Sequence, residues 1–124
     1  MRIINFNVNK VQREMNSIVN NSDIFGSILC SQEGLIIVDT FGYDSLYNTE
    51  TISAMSASMI HEHNYGFIPP EEIILIYNNE KIIIRNIFLE EKDQEFLLIS
   101  IIPINMRYFR RKINTLEKII KNNL

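Results

Sequence analysis

The sequence predicts a single α/β domain in which three helices pack on a five-stranded, mainly antiparallel sheet. Two observations lead to this prediction: apolar residues recur at helical spacing in three segments, and five short apolar segments bounded by turn residues lie between them. The predicted order is α-β-β-α-β-β-β-α. The chain has 124 residues, the length of one compact domain, and no linker or repeat divides it. We therefore expect one domain over residues 1–124, with residues 1–7 as a candidate N-terminal extension.

The first helix and the first hairpin are predicted from simple periodicity. The helix ends near Asn20, and its apolar positions at helical spacing are Val8, Val11, Met15, Ile18 and Val19. Asn9 and Gln12 resemble a capping pair at its start. Two strands follow, Ile24 to Ser31 and Leu35 to Asp39, and a tight turn at residues 32–34 joins them.

The second helix is the most informative element, because it has no charged residue from Thr51 to Ile60. Thr49 is predicted as its N-cap, and Glu50 suits its first turn. At about 100° per residue, the side predicted to face the sheet carries Ile52, Met55, Ser56 and Met59. The opposite side carries Ala54, Ala57 and Ser58. Small residues there let another backbone approach closely, so we expect this side to contact a second chain.

Three strands and a last helix complete the prediction. The strands form a meander over Glu72 to Tyr77, Lys81 to Leu89 and Glu95 to Ile102. The first of these is apolar nearly throughout, and such a strand at a sheet edge invites aggregation unless something covers it. Pro103 ends the meander, and the last helix runs roughly from Asn105 to Asn122. Its apolar stripe consists of Met106, Phe109, Ile113, Leu116 and Ile120.

This order, together with particular residues, resembles the Roadblock/dynein light chain (Roadblock/LC7) family, whose fold is a profilin-like sandwich. The resemblance spans about residues 8 to 122 and rests on four segments: the hairpin Ser31 to Ile37, the Ala/Ser/Met helix Ile52 to Ile60, the Asn78-Asn79 turn before Lys81 to Ile84, and the strand Phe96 to Ile102 before a proline and an amphipathic helix. The polar loop at residues 40–44 and the serines of the second helix depart from the family pattern. Longin and profilin domains have a related architecture.

The resemblance implies a dimer, formed with a second copy or with a paralogous Roadblock chain, in which the third strands pair and the second helices pack antiparallel. The expected dimer interface is Ala54, Ala57, Ser58, Ile73, Ile74, Leu75, Ile76 and Tyr77. It also implies a non-catalytic adaptor that scaffolds or modulates a Ras-like small GTPase. A polar-rimmed platform on the paired second helices is the expected docking surface, and its contact residues are Glu50, Ser53, His61 and Glu62. The alternatives are a dynein-type motor light chain and a small-ligand sensor with a pocket beside the loop Tyr43 to Tyr47.

Motifs and composition argue against most other functions. The formal net charge of −3 disfavours general nucleic-acid binding. No phosphate-binding loop, dinucleotide fingerprint or nucleophile elbow is present, so we expect neither an enzyme nor a cofactor. His61 and His63 lack the i, i+4 spacing of a helical zinc pair, so no metal site is expected. The only cysteine, Cys30, lies in an apolar strand and predicts a buried structural thiol.

Localisation and surface charge complete these expectations. No apolar run approaches the length of a membrane span, and the first residues do not form a secretory signal. We expect a cytoplasmic protein that reaches membranes only indirectly. The acidic cluster between Glu90 and Glu95 predicts a solvated loop. The last helix is rich in cations, which predicts a solvent-facing side; the alternative is docking on an acidic partner or an anionic membrane. Its cations are Arg107, Arg110, Arg111, Lys112, Lys118 and Lys121.

Overall fold

The eight predicted elements are present in the predicted order. A computed structural model describes residues 7–62, 70–90 and 93–123, with the backbone alone described at Glu62. The elements are α1 (Val8–Asn20), β1 (Gly26–Ser31), β2 (Ile36–Asp39), α2 (Thr49–Glu62), β3 (Glu72–Ile76), β4 (Glu80–Leu89), β5 (Gln94–Pro103) and α3 (Phe109–Asn122). Within the described residues, none of the helices has the length and apolar character needed to cross a membrane.

The five strands form one sheet in the order β2-β1-β5-β4-β3. Every neighbouring pair is antiparallel. The central strand β5 is buried on both faces from Phe96 to Ile102, which explains why every residue there except Ser100 is apolar. The two edges of the sheet are the short strands β2 and β3.

Helices cover the two faces of the sheet unequally. α1 and α3 pack together on one face, where the hydrogen bond from Asn7 N to Asn123 O (3.1 Å) joins the start of α1 to the end of α3. On the other face, α2 is the one helix among the described residues, and it lies over β1, β5 and β2. On this face Ile82 and Ile84 of β4 are buried, whereas Ile73 and Leu75 of β3 are half-buried.

Two predicted helix caps were wrong by one or two residues. Asn7 caps α1, since its side chain accepts a hydrogen bond from Lys10 N. The side chain of Gln12 instead donates to the carbonyl oxygen of Asp39 at 2.8 Å, which ties α1 to the end of β2. Asn48 caps α2 through a 3.0 Å hydrogen bond from Thr51 N to its Oδ1 atom. Thr49 is already the first residue of that helix.

The last helix begins four residues later than predicted. Pro103 accepts a turn hydrogen bond from Met106 N, and Tyr108 adopts a left-handed conformation (φ 58°), so that α3 begins at Phe109. Met106 and Phe109 pack against the core only in part. The buried stripe is Ile113, Leu116, Ile119 and Ile120.

Candidate protein-interaction site

α2 presents a different side to the sheet from the one predicted. Its fully buried residues are Ser53, Ser56, Ala57 and Ile60, at i, i+3, i+4 and i+7. Of the four residues predicted to face the sheet, Ser56 is buried, and Ile52, Met55 and Met59 are half-buried and pack at the margin of the core. A serine can occupy the buried side because its hydroxyl can return to its own helix. Ser56 does so, donating to the carbonyl oxygen of Ile52 at 2.7 Å.

This orientation corrects two predicted site residues. Ser53, expected on the partner-binding surface, has 0% exposure, and Ala57, expected at the contact between helices, has 6% exposure. Both residues pack inside their own chain and leave no surface for a partner. Ala54, Ser58, Glu50 and His61 are exposed. The side chain of Glu62, like residue 63, lies outside the described residues.

The turn between β1 and β2 packs directly against the backbone of α2. Gly34 has a φ of 90°, and a Cβ atom there would lie 3.0 Å from the carbonyl oxygen of Ser53 and 3.1 Å from the Cα of Ala54. Only glycine combines this conformation with so close an approach. The tight turn predicted at residues 32–34 therefore packs against α2 and requires glycine at position 34.

Cys30 lies beneath α2 and is fully buried, as predicted. Burial raises the pKa of its thiol to about 12, although the neighbouring Ser53 hydroxyl acts in the opposite direction. A thiol is a weak hydrogen-bonding group, and Ser53 Oγ has no other partner among the described residues. With so little thiolate at neutral pH, Cys30 is a packing residue and not a nucleophile.

The edge strand β3 exposes apolar side chains toward the end of the sheet. Ile76 is 69% exposed and Tyr77 49% exposed, whereas Ile73, Ile74 and Leu75 are half-buried. Ile73 and Leu75 pack at the margin of the core under α2, and Ile74 packs on the opposite face. An exposed apolar edge of this kind is a site for pairing with another strand.

The backbone of β3 has a defined set of outward-pointing groups. Tyr77 N donates to Glu80 O, and Asn86 N donates to Glu71 O, both at 2.8 Å. Because hydrogen-bonded positions alternate along an antiparallel pair, the intervening backbone groups of Glu72, Ile74 and Ile76 point away from β4. No described strand pairs with them.

A network of charges anchors the first residue of β3 to α3. Glu72 accepts hydrogen bonds from Arg85 at 2.8 and 3.0 Å and forms an ion pair with Arg110. Arg85 also contacts Asn114 (2.6 Å) and Glu117 (3.2 Å) of α3. Burial raises the pKa of Glu72, but the two arginines outweigh that effect and hold the pKa below its ordinary value. Sequence reasoning missed this network because its members lie on three separate elements.

The segment from residue 41 to 47, here called the strap, precedes α2 and contacts the first residues of β1 and β4. The Phe41 ring lies on Gly26, where an added Cβ would come within 2.4 Å of ring atoms. Phe41 and Tyr47 also contact each other, with ring centroids 5.2 Å apart. Tyr47 OH donates to Glu80 Oε1 at 2.9 Å. Partial burial and this carboxylate raise the pKa of Tyr47 to about 12.

An open cleft of about 690 Å³ lies between the strap, β2 and the start of α2. It corresponds to the pocket that the sensor alternative requires. Its carboxylates are Asp39 and Glu50, and Asp39 already accepts a hydrogen bond from Phe41 N at 2.8 Å. None of the lining residues is a cation. In the parts of the chain that the structure describes, no group of three or more His, Cys, Asp or Glu side chains is placed to hold a metal ion.

Comparisons with known proteins find similarity in structure only. No protein-family model and no curated protein matches the sequence. The chain is similar in structure to MglB of Myxococcus xanthus, with a TM-score of 0.78, 10% identity and coverage of 98% of this chain and 92% of that chain. It is also similar to a structure described as MglB with tetrameric arrangement (TM-score 0.68, 11% identity, 100% and 96% coverage). A third similar structure is the gliding protein MglB of Thermus thermophilus (0.75, 6% identity, 98% and 92%). The TM-scores show a common fold, and at identities this low the similarity shows the fold alone.

Proposed function

We propose that this chain, which has the Roadblock fold, is a subunit of a dimer or larger assembly that binds and regulates a Ras-like small GTPase. The observations that carry the proposal are an apolar edge strand with unpaired outward groups and, on one face of the same sheet, a helix whose exposed side is nearly uncharged. The tetrameric arrangement of one structurally similar MglB supports assembly. The GTPase partner follows from the resemblance to the Roadblock family.

The assembly contact is proposed at β3. The outward groups of Glu72, Ile74 and Ile76 suit antiparallel pairing with a second Roadblock chain. In a symmetric dimer, Ile74 then lies opposite its own copy and Glu72 lies opposite the partner's Ile76. The half-buried side chains of Ile73 and Leu75 become covered at the same time. Ala54 and Ser58 remain the proposed contacts between the two α2 helices, and Ala57 is excluded because it packs against its own sheet.

The GTPase contact is proposed on the exposed side of α2. Glu50 and His61 lie near the two ends of that side, and the small exposed residues Ala54 and Ser58 lie between them. α2 contains no Lys or Arg, so this surface has no arginine finger to offer to the nucleotide. The proposed role is therefore to position the GTPase's own switch segments, with no catalytic residue supplied by this chain.

The test uses a purified Ras-like GTPase from the same genome, loaded with a non-hydrolysable GTP analogue. Glu50→Arg should weaken binding by about tenfold or more, because it reverses a charge at the rim of the contact. Glu90→Arg is the matched control, since it makes the same charge change at an exposed residue of the β4–β5 turn. Ser53→Arg is unsuitable as a probe, because a charge at a fully buried position disrupts the fold.

Three results would redirect the proposal. Equal GTPase binding by both variants would move the contact away from α2. No binding to any GTPase, combined with a thermal midpoint raised by a small metabolite, would favour the sensor alternative at the 690 Å³ cleft. Recovery of motor subunits with the tagged chain, and no GTPase, would favour a dynein-type light chain.

A further inference from the structure

Charge is distributed very unevenly over this molecule. Residues 105–123 contain six of the 12 Lys and Arg residues and only one acidic residue, Glu117, which gives a formal charge of +5. The whole chain has a formal charge of −3, so the remainder carries −8. The cation-rich segment packs on the sheet face opposite α2. An acidic molecule therefore presents one basic side, and that side is remote from the proposed GTPase contact.

Cations on this side divide into two groups. Arg110 and Lys121 form ion pairs with Glu72 and Glu117. Among the described residues, no carboxylate forms an ion pair with any member of the second group, which comprises Arg107, Arg111, Lys112 and Lys118. We call these four cations, together with Tyr108, the basic face. They keep their charge available for a partner.

Arg107, Tyr108, Arg111 and Lys112 of the basic face line an open cleft between the end of α1 and the start of α3. The cleft has a volume of about 770 Å³ and is lined mainly by polar groups. Tyr108 is 74% exposed at its margin, and the guanidinium of Arg111 lies 5.6 Å from the centre of the Tyr108 ring. Asp23 is its one acidic lining residue. Cations around an exposed aromatic ring are typical of protein surfaces that bind at the membrane interface.

We propose that the basic face docks on an anionic lipid membrane. Charge complementarity is the main argument. Several unpaired cations on one side of the molecule are attracted by the negative potential of an anionic membrane surface, and this attraction does not require a fixed arrangement of the cations. A protein partner is less well matched, because a specific protein interface requires an apolar centre and the cleft is lined by groups such as Asn20, Asn21 and Thr115. This proposal departs from the expectation that the chain reaches membranes only indirectly.

Membrane docking in this orientation leaves the other surfaces free. α2 lies on the opposite face of the sheet, and β3 forms its edge. The GTPase surface would point away from the lipid. The inference therefore does not depend on the proposed GTPase function, and each can fail without the other.

The experiment measures co-sedimentation of the full chain with vesicles of phosphatidylcholine, with and without phosphatidylglycerol. Wild-type protein should bind only the anionic vesicles, and high salt should release it. Arg111→Gln/Lys112→Gln should weaken binding by about thirtyfold, given the contribution expected of each basic residue near an anionic surface. The matched control is Asn9→Asp/Asn78→Asp, which changes the net charge by the same amount at exposed positions outside the basic face. The control should bind within about threefold of wild type.

Three outcomes would overturn the proposal: no preference of the wild type for anionic vesicles, equal binding by the two double variants, or binding that high salt does not weaken. If the chain ignores vesicles but binds polyglutamate, and Arg111→Gln/Lys112→Gln abolishes that binding, the occupant is an acidic polypeptide and not a membrane. Thermal unfolding of each variant verifies that the fold is intact.

Discussion

Ile76→Asp is the most direct test of assembly through β3. Ile76 is 69% exposed in the single chain and lies opposite Lys81 in the β3–β4 register. Its replacement therefore removes little buried surface from the monomer and places a carboxylate next to an ammonium group. In the proposed dimer, the same position is covered by the partner strand. The substitution should weaken assembly and leave the fold intact.

The size of the effect follows from the exposure of Ile76. Burying a whole Ile side chain stabilises by about 1.5–3 kcal/mol, and 69% of this side chain is still available for burial. Each copy then contributes about 1–2 kcal/mol. A symmetric dimer contains the position twice, so the loss is about 2–4 kcal/mol, or a rise in Kd of roughly 30- to 1,000-fold.

Sedimentation velocity over a range of protein concentrations measures this change. Leu46→Asp is the control, because Leu46 is fully exposed in the strap and is not part of the proposed pairing strand. The control should assemble like the wild type, and both variants should unfold at nearly the wild-type temperature. Assembly of Ile76→Asp with the wild-type Kd would refute the pairing of β3 strands. A wild-type chain that stays monomeric at high concentration would refute assembly altogether.

Two further predictions concern the contacts that hold β3 and the strap in place. Glu72→Gln should lower the free energy of unfolding by about 2 kcal/mol near neutral pH, because it weakens the hydrogen bonds from Arg85. The folded-state pKa of Glu72 lies below its ordinary value of 4.5, so this stabilisation is present above pH 4.5 and disappears as the pH falls through the folded-state value. Urea unfolding of both proteins across this range should show the difference closing, and a constant difference would contradict it. Gly26→Ala should destabilise by about 1–3 kcal/mol, because the new methyl group overlaps the Phe41 ring; an equal cost in a Phe41→Ala background would exclude this cause.

The order and type of the elements were predictable because each has a strong local signal. α1 and α3 have clear apolar stripes, and the strands are bounded by turn residues such as Gly34 and Asn78. The comparison with solved structures confirms the predicted fold. Pairing of β3 and the partner contacts on α2 remain predictions.

The orientation of α2 was not predictable from periodicity, and the reason is chemical. Both sides of this helix consist of small or apolar residues, so neither is marked as the exposed side. Serine is common on protein surfaces, but a helical serine can satisfy its hydroxyl within its own turn and become buried. Ser56 is buried in this way, whereas Ser53 is buried with only the Cys30 thiol beside its hydroxyl. Contacts with distant strands, including the close approach of Gly34, decide the orientation.

The hydrogen bond between Tyr47 and Glu80 has a thermodynamic consequence for the whole molecule. It joins the strap that leads into α2 to the first residue of β4, next to the turn that follows β3. A ligand at α2 that binds more tightly when this hydrogen bond is broken would change the affinity of the β3 edge for its partner. By reciprocity, the partner at the β3 edge would change the affinity of α2 for that ligand by the same factor. The coupling free energy transmitted through this bond is limited to what the bond contributes, about 1.5–3 kcal/mol for a charged acceptor. This limit corresponds to a change in affinity of roughly ten- to a hundredfold, and Tyr47→Phe, which removes the bond, should abolish any coupling between α2 and the β3 edge that passes through it.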